Sequence, residues 1–178
     1  MEDLPRRAYP ARVPTELASL DQPIDDIGST APDDPQLIVE LWMPVPVGER
    51  WELLMCRRVP ARGGFWQGVS GRVEPHDGTL RAAALRELDE ELKLDPELIT
   101  EVLDLEQTYE FKSLFGERYY RKHCMAVLLR EGTTTEHVTL SEEHDEVEMM
   151  TFERAIDLAR FPEYVTELQS LEARLYAR

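Results

Sequence analysis

Residues 79–92 constrain this chain more than any other stretch. Leu80, Ala84, Leu88 and Leu92 recur every four residues, the spacing of one face of an α-helix. Ala82 and Ala83 add helix propensity, Asp77 or Thr79 is placed to cap the start, and Pro96 stands just beyond the end. A helix here divides the chain in two. Before it, residues 36–43 (QLIVELWM) and 51–58 (WELLMCRR) read as strands joined by a turn region, PVPVGER, and residues 65–70 form a short apolar stretch ending at Gly71. After it, residues 99–111 and 119–130 read as strands and 147–151 as a short strand. Residues 152–160 and 163–178 read as helices separated at Pro162. Strands and helices mix without a regular alternation, so the expected class is α+β, helices packed against a mixed sheet.

The first 35 residues are different. They hold six of the twelve prolines and few large apolar residues, which predicts an extended N-terminal arm (1–35) attached to one domain (36–178). The arm is expected to lie on its own domain or on a partner chain, leaving a homodimer open. A net charge of −16 argues against duplex nucleic acid as a partner, since a phosphate backbone calls for a basic face. It leaves room for a small phosphorylated ligand, because bound cations invert the local field. No apolar run approaches the roughly 20 residues of a membrane span, and the first residues, MEDLPRRAYPARVP, lack the apolar core of a signal peptide. No membrane partner is expected, and the expected location is cytoplasmic. Cys56 and Cys124 sit in apolar stretches and read as buried reduced thiols.

Chemistry concentrates at the end of the central helix. Glu87, Glu90 and Glu91 are three and four positions apart and share one helix face. Three carboxylates there repel one another. A hard divalent cation relieves that repulsion and keeps coordination positions for a phosphate and a water. An acidic helix face is more often merely solvated, so the upstream loop decides the matter. The run from Gly71 through Glu91 resembles the Nudix box, G-x5-E-x7-R-E-U-x-E-E-x-G-U, where U is a bulky apolar residue. Arg86-Glu87-Leu88-Asp89-Glu90-Glu91 matches its R-E-U-x-E-E segment, and Leu94 fills the last U. Two positions depart from it. The first Glu of the box falls on Asp77 counted from Gly71 and on Gly78 counted from Arg86, so the loop is one residue longer than the pattern and Asp77 is the expected stand-in. Lys93 stands where the box has Gly.

Trp66-Gln67-Gly68-Val69-Ser70-Gly71 and Glu143-His144-Asp145 are similar to the dihydroneopterin triphosphate pyrophosphatase branch of that family. The resemblance implies a Nudix-type α/β/α sandwich. It also implies a Mg²⁺- or Mn²⁺-dependent hydrolase that cleaves a phosphoanhydride in a nucleoside-diphosphate-linked or a nucleoside or pterin triphosphate substrate. Glu87, Glu91 and Glu143 are the implied metal ligands, with Glu142 or Glu146 as substitutes for Glu143. Glu90 or Glu91 acts on the attacking water, and Arg86 orients the carboxylates. Arg57 and Arg58 are candidates for substrate phosphates, and Phe65, Trp66 and Gln67 for a base or pterin ring. The rival expectation is a Nudix-fold module that binds or senses a nucleotide without cleaving it. His123, within an apolar strand, reads as a satisfied core residue.

Overall fold

The computed structural model describes residues 20–24, 35–113 and 118–178. Most of the N-terminal stretch expected as an arm lies outside these residues. Among these residues, eight strands and three α-helices follow in the order β1 (Gln36–Trp42), β2 (Pro44–Val47), β3 (Arg50–Arg58), β4 (Trp66–Gln67), β5 (Val69–Arg72), α1 (Leu80–Leu92), β6 (Ile99–Lys112), β7 (Tyr119–Leu129), β8 (His144–Thr151), α2 (Phe152–Asp157) and α3 (Pro162–Tyr176). The strands form two sheets. The first has the order β5-β1-β7-β6 and is mixed, with β1 parallel to β7 and the other pairs antiparallel. In the second, β3 pairs antiparallel with β2, β4 and β8.

Side-chain alternation along the strands divides the core. Val39 and Leu41 of β1, Leu54 and Cys56 of β3 and Met125 and Val127 of β7 pack with Leu80, Leu88 and Leu92 of α1. On the other side, Trp42, Leu53, Met55, Cys124 and Ala126 pack with Phe152 of α2 and Leu168, Leu171 and Leu175 of α3. The sheets are thus sandwiched between α1 and the α2–α3 pair, the α+β sandwich expected from sequence. Both cysteines are free and buried, and the His123 ring lies 3.1 Å from an Asp104 carboxylate oxygen.

The segment expected as a turn before β3 contains a strand. Pro44 and Pro46 lie on β2 at the end of the β2-β3-β4 order, where a missing backbone N–H is tolerated. The strand expected at 147–151 begins earlier, at His144. Residues 20–24, within the stretch read as an arm, sit on α1. Leu20 is buried in the α1-side core, the Arg81 N–H donates to the Leu20 carbonyl, and the Ile24 N–H donates to the Gly78 carbonyl. No described helix is long and apolar enough to cross a membrane.

Candidate active site

The end of β5 and the C-terminal half of α1 place the acidic side chains. Thr79 caps α1, its hydroxyl accepting from the Ala82 N–H at 3.1 Å. One turn further on, Arg86 reaches back across the loop. Its Nε donates to Asp77 Oδ1 at 2.8 Å and its Nη2 to Asp77 Oδ2 at 3.0 Å and to the Arg72 carbonyl at 2.7 Å. Its Nη1 donates to Glu87 at 2.8 Å and to Glu90 at 2.9 Å. Asp77 also accepts from the Glu74 N–H at 2.7 Å. Burial works against ionising Asp77, but the bonds from Arg86 and Glu74 outweigh it and hold the carboxyl below its usual range. Gly78, at φ 70°, takes up the additional loop residue.

Gly71 has no room for a side chain. A Cβ there would lie 1.9–2.1 Å from the Glu87 carboxyl atoms, so this glycine lets the Glu87 head group lie against the backbone of β5. Glu87 is 7% and Glu91 5% exposed. Burial pushes the Glu87 carboxyl up despite the adjacent Arg86. It pushes Glu91 further, to about 8, with the charges of Glu143 and Glu87 adding to the effect. Glu90 is exposed.

The loop before β8 closes the other side. The Thr139 and Ser141 N–H groups donate to the Leu92 and Glu91 carbonyls, satisfying two carbonyls at the C-terminal end of α1. That docking carries Glu143 and His144 to the site. The Glu143 carboxylate accepts from Arg58 at 3.1 Å and from Arg62 at 2.6 Å. His144 Nδ1 lies 3.4 Å from Glu91 Oε2, a close approach in which neither atom gains a hydrogen bond. Burial, with Arg58 and Arg62 nearby, lowers the His144 pKa to about 4, so the ring is neutral at physiological pH.

Between these elements lies a cleft of about 780 Å³. Arg58, Phe65, Gln67, Arg86, Glu87, Glu90, Glu91 and Glu143 all border it. Arg57 and Trp66 do not: the Arg57 guanidinium lies over the Trp66 ring and pairs with Asp145 and Glu146. Glu142 is likewise absent from the lining. Three contributors were not singled out from sequence. Arg62 lies in a 3-10 turn, and the only signal for it is a basic residue ahead of Gly63-Gly64. Glu40 and Lys122 are charged residues inside apolar strands, which is itself a signal, because charges are seldom buried without a reason.

Among the described residues no three His, Cys, Asp or Glu side chains already converge into a metal cage. The donor chemistry nonetheless suits a hard divalent ion. The carboxylates of Glu87, Glu91 and Glu143 face one cleft, and Glu91 Oε2 is buried without a hydrogen-bond partner. Carboxylate oxygens are the preferred ligands of Mg²⁺.

Comparison with known proteins gives the same frame. A NUDIX domain profile matches residues 45–169. An octanoyltransferase from Myxococcus xanthus is 32% identical over 114 residues, covering 64% of this chain; the match spans 30% of that protein's length. Among solved structures, the binary complex of a C. elegans Ap4A hydrolase has a TM-score of 0.66 at 21% identity, covering 80% of this chain and 98% of its own. The E. coli dihydroneopterin triphosphate pyrophosphohydrolase has a TM-score of 0.63 at 20% identity, covering 78% and 95%. The NUDIX domain of Shewanella oneidensis NrtR, complexed with ADP ribose, has a TM-score of 0.62 at 15% identity, covering 79% and 88%. Such identities carry the fold alone. The profile, extending over well over half of the sequence and including the whole Gly71–Leu94 box, establishes that this chain belongs to the Nudix family of hydrolases.

Proposed function

We propose that the protein hydrolyses a phosphoanhydride in a nucleoside-diphosphate-linked or a nucleoside or pterin triphosphate substrate, with Mg²⁺ or Mn²⁺ as cofactor. One observation supports this above all: Glu87 and Glu91 are buried on the wall of a cleft that Arg58 and Arg62 share. Glu87, Glu91 and Glu143 would hold the ion, which when bound polarises phosphoryl oxygens and offsets charge on the leaving phosphate. Arg86 fixes Glu87 and Glu90 through one planar donor fork. Glu90 or Glu91 orients or deprotonates the attacking water. Arg58 and Arg62 receive phosphate oxygens as charged donors. Phe65 and Gln67 border the ring-binding part of the cleft, while Arg57 and Trp66 buttress β3 and β4 from outside it.

A second reading, nucleotide binding without cleavage, draws on the Glu143 carboxylate. It is held by two arginines and would have to leave them to join Glu87 and Glu91. The deciding experiment is phosphate release from a panel of nucleoside and pterin triphosphates and dinucleotides, with Mg²⁺ and with chelator. Metal-dependent release supports hydrolysis. Tight binding with no release from any panel member supports the second reading.

A further inference from the structure

The cleft has another end, which phosphoanhydride chemistry leaves without a task. Glu40 and Lys122 line it and form a buried ionic triad with Glu167 behind them. The Lys122 ammonium lies 2.6 Å from Glu40 Oε2 and 2.7 Å from Glu167 Oε1. Lys122 is 5%, Glu40 2% and Glu167 0% exposed. Burying three charges is costly, and apolar replacements of such groups are often no less stable. A triad kept on a cleft wall therefore points to recognition.

Counting donors and acceptors shows what it can recognise. Lys122 serves both carboxylates, and its remaining face lies over the rings of Tyr109 at 5.2 Å and Tyr164 at 4.8 Å. Glu167 Oε2 accepts from the Trp42 indole at 2.9 Å, so both of its oxygens are engaged. Gln67 donates to the Ser70 hydroxyl at 3.4 Å and accepts from the Tyr164 hydroxyl at 3.5 Å. Glu40 Oε1 is left, buried and without a hydrogen-bond partner. Tyr164 also stands beside Glu40, but its single hydroxyl proton serves Gln67 or Glu40, not both. The triad therefore has an open acceptor and no spare donor. A second buried, unpartnered acceptor, Glu163 Oε2, belongs to a residue lining the same cleft.

The walls suit a flat ligand. Phe65, Phe161 and Tyr164 form a chain of edge-to-face contacts, each at 5.3 Å, and Tyr109 and Phe111 also line this end. We propose that it is a base subsite selective for a purine or pterin ring whose edge carries a ring N–H beside an exocyclic amino group, with Glu40 as the specificity-determining acceptor. Such an edge presents two donors, which match the oxygens of one carboxylate. Adenine sets a ring-nitrogen acceptor beside its amino group, hypoxanthine lacks the amino group, and xanthine replaces it with a carbonyl. Adenine and xanthine turn an acceptor toward one of the two carboxylate oxygens, and hypoxanthine makes one of the two bonds. Glu40 Oε1 is covered by its neighbours, so the ring edge reaches it by displacing the Tyr164 hydroxyl, a side-chain adjustment common on binding.

The inference deepens the hydrolase reading but is tested apart from it. Nucleoside monophosphates contain no phosphoanhydride, so their binding can be measured by calorimetry in chelator with no turnover. The expected result is that GMP binds at least about tenfold more tightly than IMP, AMP and XMP. In Glu40→Gln the preference of GMP over IMP falls to parity. In Tyr164→Phe the preference persists, because the hydroxyl is only a competitor for the acceptor. Equal binding of GMP and IMP to the wild-type protein overturns the proposal, as does an undiminished GMP preference in Glu40→Gln. Should that variant fail to fold, the wild-type panel and Tyr164→Phe decide. A GMP preference without Mg²⁺-dependent hydrolysis keeps the subsite and removes the hydrolase reading; hydrolysis without the preference does the reverse.

Discussion

Arg86 satisfies four acceptors at once: Asp77, Glu87, Glu90 and the Arg72 carbonyl. Its loop partner is the replaceable part. Asp77→Asn keeps the shape but removes the charge under two of these bonds. The expected cost is about 1–3 kcal/mol, or roughly 2–4 °C of melting temperature per kcal/mol for a chain of this size, together with reduced turnover as Glu87 and Glu90 lose their shared anchor. The sign with pH follows from the lowered Asp77 carboxyl. A depressed folded pKa stabilises above the unfolded value of about 4 and is lost as pH falls through the folded one. Thermal melts across the acid range should therefore show the gap between wild type and Asp77→Asn closing below about pH 4; a gap that stays constant there would show that Asp77 contributes by packing alone. This residue was half legible. Counting along the sequence allowed Asp77 or Gly78, and only the reach of Arg86, with Gly78 free to take a positive φ, settles the choice. Arg62 was barely legible: its one signal is the Gly63-Gly64 pair that follows, both at positive φ, in the turn that brings it beside Glu143.

At the scale of elements, α1 is legible from its four-residue spacing and a cap at Asp77 or Thr79; it forms between residues 80 and 92 with Thr79 as the cap. Its end shows the consequence of the substituted box glycine. Lys93 takes a left-handed conformation, φ 49° and ψ 35°, which glycine adopts without strain. Lys93→Gly should raise stability by about 0.5–1 kcal/mol, since the exposed Lys93–Asp89 pair it removes contributes little. Chemical denaturation reads this directly, and a clearly less stable Lys93→Gly would show that the lysine side chain holds the helix end. The long strands β6 and β7 were legible from their apolar runs, whereas β2 was hidden by its prolines, which only an edge position accommodates. The docking of residues 139 and 141 on the end of α1 was not legible, because a long-range backbone hydrogen bond leaves no mark in residue type. That contact is nevertheless what brings Glu143 into the cleft.

Across the whole molecule, the two cores and the cleft form one unit to which residues 20–24 contribute. The share of residues 20–24 is isolated by comparing removal of residues 1–19 with removal of residues 1–24. The longer removal should cost about 2–4 kcal/mol more than the shorter, from the buried Leu20 side chain and two backbone hydrogen bonds to the start of α1. Melting of the two truncated proteins measures the difference, and equal stability would mean that the 20–24 contacts are dispensable. The central claim is that the buried acidic wall of the cleft exists to hold a divalent ion on a phosphoanhydride. Glu91 carries most of that claim. Its carboxyl is pushed up to about 8 by burial and then by Glu143 and Glu87, so ionising it weakens the fold when no cation is present. Glu91→Gln relieves that cost by about 1 kcal/mol while removing a ligand. The most direct measurement is a set of thermal melts of wild type and Glu91→Gln near pH 8, each with chelator and with Mg²⁺, beside phosphate release from the preferred substrate. The account predicts that Mg²⁺ raises the wild-type melting temperature through binding to the folded state, that it leaves Glu91→Gln unmoved, and that the variant is inactive yet at least as stable as wild type in chelator. Wild-type turnover and an equal Mg²⁺-induced shift in Glu91→Gln would contradict it.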